Sequence, residues 1–157
     1  MEIVLLSVGK TDRTHWSDVL EDYFKRLQHY IKFSFDIVSH ESSSKKTSIP
    51  FIKEEEENRL LKKIRPDDHV ILLDERGKSY TSETFALSLQ KQMNQGNKRI
   101  VFVVGGAFGF STSFLQKFPH HLRLSSMTFS HQMVRLFFCE QLYRAFTILN
   151  NHPYHNA

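Results

Sequence analysis

A glycine-rich stretch in the last third of the chain could bind a nucleotide-like molecule. It reads Val-Val-Gly-Gly-Ala-Phe-Gly over residues 103–109 and directly follows an apolar run. Glycines at such a turn let the backbone approach a ligand closely, and their N–H groups can hold it. The spacing does not match the G-x-G-x-x-G fingerprint of dinucleotide binding, and no Gly-Lys-Ser/Thr follows. The turn alone leaves two interpretations open, a ligand-binding turn and a purely structural one.

Two histidines close to the end of the sequence raise the question of a metal site. His152 and His155 flank Pro153 and Tyr154. No cysteine is near and carboxylates are scarce in this region, so a complete zinc shell would be hard to assemble. A terminal tail is the simpler interpretation, and we predict no metal. A serine hydrolase is not indicated either, because no Gly-x-Ser-x-Gly elbow surrounds the serines close to His131, which are Ser125, Ser126 and Ser130.

Positive charge is concentrated in the same part of the chain. The net charge is +4, yet residues 1–97 hold 15 Lys/Arg against 16 Asp/Glu. From Lys98 onward six basic residues face one acid, Glu140, and five of the nine histidines lie there too. This distribution favours binding to phosphates. Charge alone is equally compatible with a merely basic surface.

The bulk composition excludes several classes of protein. With 157 residues and 40% apolar content, the chain can fill one core, and we predict a single domain over residues 1–157. No membrane-spanning run and no secretion signal are apparent, so we expect a soluble, cytoplasmic protein. The one cysteine, Cys139, cannot form an internal disulfide.

The elements that must position these residues alternate between strands and helices. The patterns predict strands at 2–8, 33–37, 69–73, 99–104 and 121–124, and helices at 16–27, 50–64, 82–93, 112–118 and 131–149. Residues 9–12 are predicted to form a turn and residues 40–48 a loop. The acidic run in the second helix suits a solvated, dipole-matched face. The alternation predicts an α/β fold, with a Rossmann-like, mostly parallel sheet and helices on both faces. Ligands bind beyond the carboxyl ends of such strands, so Leu73, Gly105 and the stretch after Leu124 should converge.

The last helix is apolar around most of its circumference. One stripe comprises Val134, Phe137, Phe138, Leu142, Ala145, Phe146 and Leu149. Much of the remaining surface is also apolar, with Met133, Leu136, Cys139, Tyr143 and Ile148. Such a helix must be covered on two sides. We therefore predict a symmetric homodimer built partly on this helix.

Taken in order, several short motifs resemble the ribosomal RNA large subunit methyltransferase H family, whose members are small proteins of the SPOUT class. They are Leu-Ser-Val-Gly-Lys at 6–10, Leu-Leu-Asp at 72–74 with Gly-Lys at 77–78, Val-Gly-Gly at 104–106, Leu-Ser-Ser-Met-Thr-Phe-Ser-His at 124–131, Val-Arg at 134–135, Glu-Gln-Leu-Tyr-Arg-Ala at 140–145 and Asn-His-Pro-Tyr-His at 151–155. The resemblance covers essentially the whole chain. It departs from the family at Ala107 and Ser130, where proline is usual, and both positions border the expected pocket.

The resemblance implies properties that the patterns do not supply. It implies a deep trefoil knot within about residues 70–157, an obligate homodimer, and methylation of N3 of a pseudouridine in 23S ribosomal RNA of the assembled ribosome. S-adenosylmethionine is then the co-substrate, with no metal. Its expected pocket consists of Leu73, Gly105, Gly106, Leu124, Ser125, Ser126, Met127, Thr128 and Phe129. Expected catalytic residues are His152, His155, Tyr154 and Arg135, and expected substrate-binding residues are Arg135, Tyr143, Arg144 and His152.

The residues support these roles on chemical grounds. The imide N3 of a uracil ring carries a proton that must leave before the nitrogen can attack a methyl group, and His152 or His155 could remove it. Arginines suit phosphates or the developing anion. Structural roles for His152 and Tyr154, fixing the tail over the pocket, are an open alternative. Two other functions also remain open at this point, a non-catalytic RNA- or ribosome-binding module and a nucleotide-dependent hydrolase that uses the glycine turn.

Overall fold

A computed structural model describes residues 1–10, 15–40 and 47–155. Along the chain lie β1 (Glu2–Val8), α1 (His15–Gln28), β2 (Lys32–Val38), α2 (Ile49–Leu61), β3 (His69–Ser79), α3 (Ser82–Asn94), β4 (Arg99–Val104), α4 (Thr112–Lys117), β5 (His121–Arg123) and α5 (His131–Leu149). The predicted order of elements is confirmed. The predicted turn at 9–12 and loop at 40–48 fall largely outside the described residues. No helix in the described ranges is long and apolar enough to cross a membrane.

The five strands form one parallel sheet in the order β2-β1-β4-β3-β5. Alternate residues of the central strands β1 and β4 face opposite sides, and each side is buried. One core contains apolar residues of α1, α3 and α5, and the other contains residues of α2 and α4. Helices therefore cover both faces, as predicted for an α/β fold. Burial of each large apolar side chain contributes roughly 1.5–3 kcal/mol.

Apolar residues at helical spacing between Trp16 and Leu27 predict that the first helix packs along its whole length, and the structure differs from this prediction. Leu20 and Leu27 are buried, but Trp16 and Val19 are 39% and 42% exposed. A groove of about 450 Å³ opens between α1 and the edge strand β2, and it is lined by Leu20, Phe24, Phe35 and Ile37 among others. The expectation that α1 packs along its whole length was wrong at its first turns, because β2 is the last strand on that side of the sheet.

The bounds of α5 match the prediction, but its buried face does not. Ser130 accepts a hydrogen bond from the backbone N–H of Met133 as N-cap, and Asn151 beyond the helix has a φ of 55°. Phe137 is exposed and Val134 is only half-buried, so the predicted stripe was partly wrong. The core-facing stripe consists of Arg135, Phe138, Cys139, Leu142, Ala145, Phe146 and Thr147.

The last strand lies against an interrupted part of β3. Leu122 is the register partner of both Leu73 and Lys78, so residues 74–77 bulge out of the ladder. A β-carbon at Gly77 would lie 2.7 Å from backbone atoms of His121 and Leu122. Two main-chain segments therefore cross in direct contact, and only glycine fits between them. This close crossing is compatible with the expected trefoil knot, which stays a prediction.

Candidate functional site

A cavity of about 560 Å³ opens at the carboxyl ends of β4 and β5, beside the interruption of β3 at residues 74–77. Its volume lies in the range of small-molecule sites. The predicted convergence of Leu73, Gly105 and the stretch after Leu124 is confirmed, because all three line this cavity. Eight of the nine residues expected to bind the cofactor line the cavity, namely Leu73, Gly105, Gly106, Leu124, Ser125, Met127, Thr128 and Phe129. The ninth, Ser126, does not.

Packing within the chain is tight at the two adjacent glycines of the cavity. A β-carbon at Gly105 would lie 3.2 Å from the ring of Phe110. A β-carbon at Gly106 would overlap Glu56 Oε2 and lie 2.9 Å from Glu56 Cδ. The turn closes with a hydrogen bond from Gly109 N–H to the carbonyl oxygen of Gly106 at 3.1 Å. The structural interpretation therefore accounts for both glycines, and the turn nevertheless lines the cavity.

Helix α2 forms the support behind this turn. Glu57 accepts hydrogen bonds from the N–H and hydroxyl of Ser111, at 2.6 and 2.7 Å, and Lys53 donates to the carbonyl oxygen of Phe110 at 3.2 Å. Glu56 and Glu57 are 5% and 8% exposed. The expectation that the acidic run forms a solvated face was therefore wrong for these two carboxylates.

Sequence reasoning missed Glu56 and Glu57 because four consecutive glutamates are typical of exposed helices. A signal was nevertheless available. Ile52, Glu56 and Leu60 are spaced four residues apart, which puts Glu56 on the same face as two buried apolar side chains. An acid in the apolar stripe of a helix indicates a polar partner on the element that the helix covers.

Two charged side chains that line the cavity, Asp74 and Arg76, are paired with each other. Arg76 donates through Nε and a terminal nitrogen to both oxygens of Asp74, at 2.8 and 2.9 Å. These hydrogen bonds hold the pKa of Asp74 below its usual range, against the opposing effect of burial. Arg123 donates to the hydroxyl of Ser79 at 2.7 Å. Asp74 is thus a paired carboxylate and is poorly suited to act as a base.

The loop from Leu124 to the start of α5 covers one side of the cavity. Ser125 Oγ accepts a hydrogen bond from Met127 N–H at 2.9 Å. Met127 itself is 76% exposed. The N-cap role of Ser130 stabilises the helix start by roughly 1 kcal/mol, so this loop end is anchored without the proline usual in the resembling family. Ala107, the second departure, lines the cavity.

The C-terminal tail folds back onto α1, α3 and α5. Tyr154 donates a hydrogen bond to Glu140 Oε1 at 3.3 Å, and the guanidinium of Arg144 lies 4.8 Å from the centre of the Tyr154 ring. Burial is the largest cause that raises the pKa of Tyr154 above its usual range, so its phenol stays protonated. The structure thus brings together most of the expected substrate and catalytic side chains, and we call this group the tail cluster: Tyr143, Arg144, His152, Tyr154 and His155.

The two histidines of the tail cluster differ in their partners. His155 Nε2 lies 2.7 Å from Glu83 Oε1 and its Nδ1 lies 3.3 Å from Arg144 NH1. Because arginine can only donate, Nδ1 accepts and Nε2–H donates, so both ring nitrogens are engaged in a neutral ring. His155 holds the pKa of Glu83 down to about 2. His152 Nδ1 lies 2.6 Å from the hydroxyl of Tyr30.

Arg135 does not reach either the cavity or the tail cluster. Its side chain is 0% exposed, and it donates a hydrogen bond to the carbonyl oxygen of Val8 at 2.7 Å. The sequence led us to expect a side chain available to phosphate, and the structure instead places it in the core, at the end of β1. Direct contact with substrate would require the guanidinium to leave this position.

Within one chain, the cavity and the tail cluster are separate. Val134 and His131 line the cavity, and no residue of the tail cluster does. Val134 and Tyr143 are nine residues apart along α5, which corresponds to roughly 13.5 Å of helix at 1.5 Å per residue. Among the described residues no group of histidine, cysteine and carboxylate side chains is arranged to hold a metal ion.

Comparisons with known proteins agree with this geometry. A family described as "Predicted SPOUT methyltransferase" matches residues 1–155. Proteins named "Ribosomal RNA large subunit methyltransferase H" from Flavobacterium psychrophilum and Porphyromonas gingivalis are 51% and 47% identical to this chain over 156 residues, with 99% of each chain covered. A solved structure of a probable methylase family protein from Haemophilus influenzae shares the fold with a TM-score of 0.51 at 16% identity, over 95% of this chain and 66% of that one. The match along nearly the whole sequence and the full-length relatives together show that the chain belongs to the SPOUT methyltransferase family.

Proposed function

We propose that this protein is an S-adenosylmethionine-dependent methyltransferase of 23S ribosomal RNA, acting in the cytoplasm on N3 of a pseudouridine in the assembled ribosome. The observation that carries the proposal is the cavity at the strand ends, lined by eight of the nine positions expected to bind the cofactor. The full-length relatives named as ribosomal RNA methyltransferases support the same assignment. The excess of basic residues after position 97 suits an RNA substrate.

The residues of the cavity fit this methyl donor. Backbone groups of Gly105 and Gly106, together with the loop after Leu124, offer hydrogen bonds to a nucleoside, and Leu73 and Val104 offer apolar contacts. When bound, S-adenosylmethionine supplies an electrophilic methyl group on a sulfonium. The task of the protein is then to hold the acceptor nitrogen in line with that group and to remove the proton from N3.

The tail cluster is the part of the molecule suited to RNA, and we infer that a second copy of the chain brings it to the cavity. Its separation from the cavity within one chain makes a composite site necessary. Half-buried or exposed apolar side chains along α5 provide a surface for such a homodimer, and they include Met133, Leu136, Phe137 and Ile148.

His152 is the better placed of the two candidate bases. With hydrogen on Nδ1, it donates to the hydroxyl oxygen of Tyr30, and Nε2 carries the lone pair that can accept a proton. His155 has both nitrogens engaged and is suited instead to fixing the tail on α3. Arg144, held by Glu140, is placed to stabilise a phosphate or the developing anion. We assign Arg135 a positioning role at the junction of β1 and α5.

Two measurements test the proposal. Calorimetry on the pure protein should show one S-adenosylmethionine bound per chain, and ribosomes from cells lacking the protein should accept one methyl group from it, located by mass spectrometry of 23S ribosomal RNA. Ribosome binding with no affinity for the methyl donor would favour a non-catalytic RNA-binding module. Nucleotide turnover without donor binding would favour the hydrolase.

A further inference from the structure

Glu56 occupies the space into which a side chain at position 106 would project. It lies in the apolar stripe of α2, between Ile52 and Leu60, and is almost completely buried. Burial of a carboxylate destabilises a fold unless polar groups surround it, so a glutamate at this position needs a local reason. Gly106, in the turn of residues 105–109, lies directly against this carboxylate.

Two further contacts from α2 fix the other end of the same segment. Lys53 donates to the carbonyl oxygen of Phe110, and Glu57 accepts two hydrogen bonds from Ser111. Lys53, Glu56 and Glu57 lie on one helix face, at spacings of three and four residues. Glu56 therefore lies against the start of the turn, Lys53 and Glu57 hold the two residues that follow it, and β4 leads into it.

We propose that Glu56 is a positioning residue for the methyl-donor pocket, setting the conformation of the turn at 105–109 through its contact with Gly106. The inference rests on the proposed function, because it takes this turn as part of the donor site. Groups that hold a ligand must keep their places to within roughly 0.5 Å, and a turn of glycines cannot do so by itself. Glu56 supplies the rigidity that the glycines lack.

A double-mutant cycle tests the contact directly. Gly106→Ala should weaken S-adenosylmethionine binding about tenfold or more, because the added methyl group overlaps the carboxylate. In a Glu56→Ala background the same change should cost less than about threefold. If Gly106→Ala proves insoluble, restoration of soluble protein by Glu56→Ala is the expected result, and equal insolubility of the double variant would overturn the proposal.

Gly109 provides the matched control for this cycle. It belongs to the same turn and has a φ of +69°, but a β-carbon there meets nothing within 4 Å. Gly109→Ala should therefore weaken donor binding through backbone strain by the same factor with and without Glu56. If the loss of donor affinity caused by Gly109→Ala depended on Glu56 as strongly as the loss caused by Gly106→Ala, that result would contradict a contact restricted to position 106.

Glu56→Ala separates positioning from folding. The KM and Kd for S-adenosylmethionine should rise about tenfold, while the KM for ribosomes and the far-ultraviolet circular dichroism stay unchanged. The exposed neighbour Glu54→Ala should change neither. A lower melting temperature of Glu56→Ala with unaltered donor affinity would overturn the inference alone. Failure of the unaltered protein to bind the donor would overturn the proposed function as well.

Discussion

The cavity and the tail cluster are built by different means. The cavity is lined by strand residues, a glycine turn and a loop, and helix α2 holds the segment that follows the turn. The tail cluster is held by side-chain hydrogen bonds to neighbouring helices, such as Tyr154 with Glu140 and His155 with Glu83. The shape of the cavity therefore depends on the backbone and tolerates few changes of it, whereas the tail cluster can lose single side chains and keep its shape.

The largest expected effect comes from the main-chain crossing below the cavity. Gly77→Ala should destabilise the fold by roughly 4 kcal/mol or more, because its β-carbon meets the backbone of residues 121–122, which cannot move aside. Urea unfolding followed by circular dichroism measures the loss. Gly96→Ala, where the β-carbon meets nothing within 4 Å, should cost only about 1 kcal/mol. Equal losses for the two variants would show that the crossing tolerates a side chain.

Single substitutions in the tail cluster should distinguish the residue that accepts the proton from the residue that fixes the tail. His152→Ala should lower kcat by about a hundredfold or more without weakening donor binding, because it removes the proton acceptor. His155→Ala should lower kcat by less than about tenfold, because it loosens the tail only. Steady-state kinetics with ribosomes measures both. The proposed roles would be exchanged if His155→Ala proved the more damaging.

Mixed dimers should reveal which chain supplies each half of the site. Leu73→Arg blocks the cavity, His152→Ala disables the tail, and each homodimer should be nearly inactive. A purified heterodimer carrying one variant per chain should regain about half of the normal kcat if the tail of one chain serves the cavity of the other. If both halves come from one chain, the heterodimer stays inactive.

The smallest effect concerns the hydrogen bond between His155 and Glu83 that fixes the tail. Pairing with His155 lowers the pKa of Glu83 from 4.5 to about 2. Because the folded-state pKa is the lower one, the stabilisation is complete above about pH 4.5 and is lost as the pH falls toward about 2. The melting temperature of Glu83→Gln should lie slightly below that of the unaltered protein near neutral pH, and the difference should shrink on acidification. A difference that grows on acidification would argue against the pair.

The sequence predicted the bounds of the helices and strands better than the burial of individual polar side chains. The bounds of α5 were predictable because its cap residue and terminal asparagines are local signals. The burial of Glu56 and Arg135 was not, because each side chain bonds or contacts a segment far away in the chain, namely residues around Gly106 and Val8. Periodicity shows that one face of a helix is covered. It does not show which polar group lies on the element that covers it.

The tail illustrates the same limit for the site. Its residue types indicated RNA chemistry, but their position relative to the cavity depends on how the last six described residues fold back after α5. No local signal encodes that direction. The convergence of the strand ends, by contrast, follows from parallel topology, and it was predictable as soon as the strands were recognised.

The crossing at Gly77 also orders events during synthesis. Both sides of β3 must be paired in the finished sheet, yet the strand that covers its outer side, β5, begins at residue 121. At roughly 5–20 residues per second, synthesis from β3 to the end of β5 takes about 2 to 9 seconds. During that interval the unpaired N–H and C=O groups along the outer edge of β3 are open to pairing with other chains, so this wall of the cavity is exposed to aggregation until β5 has formed.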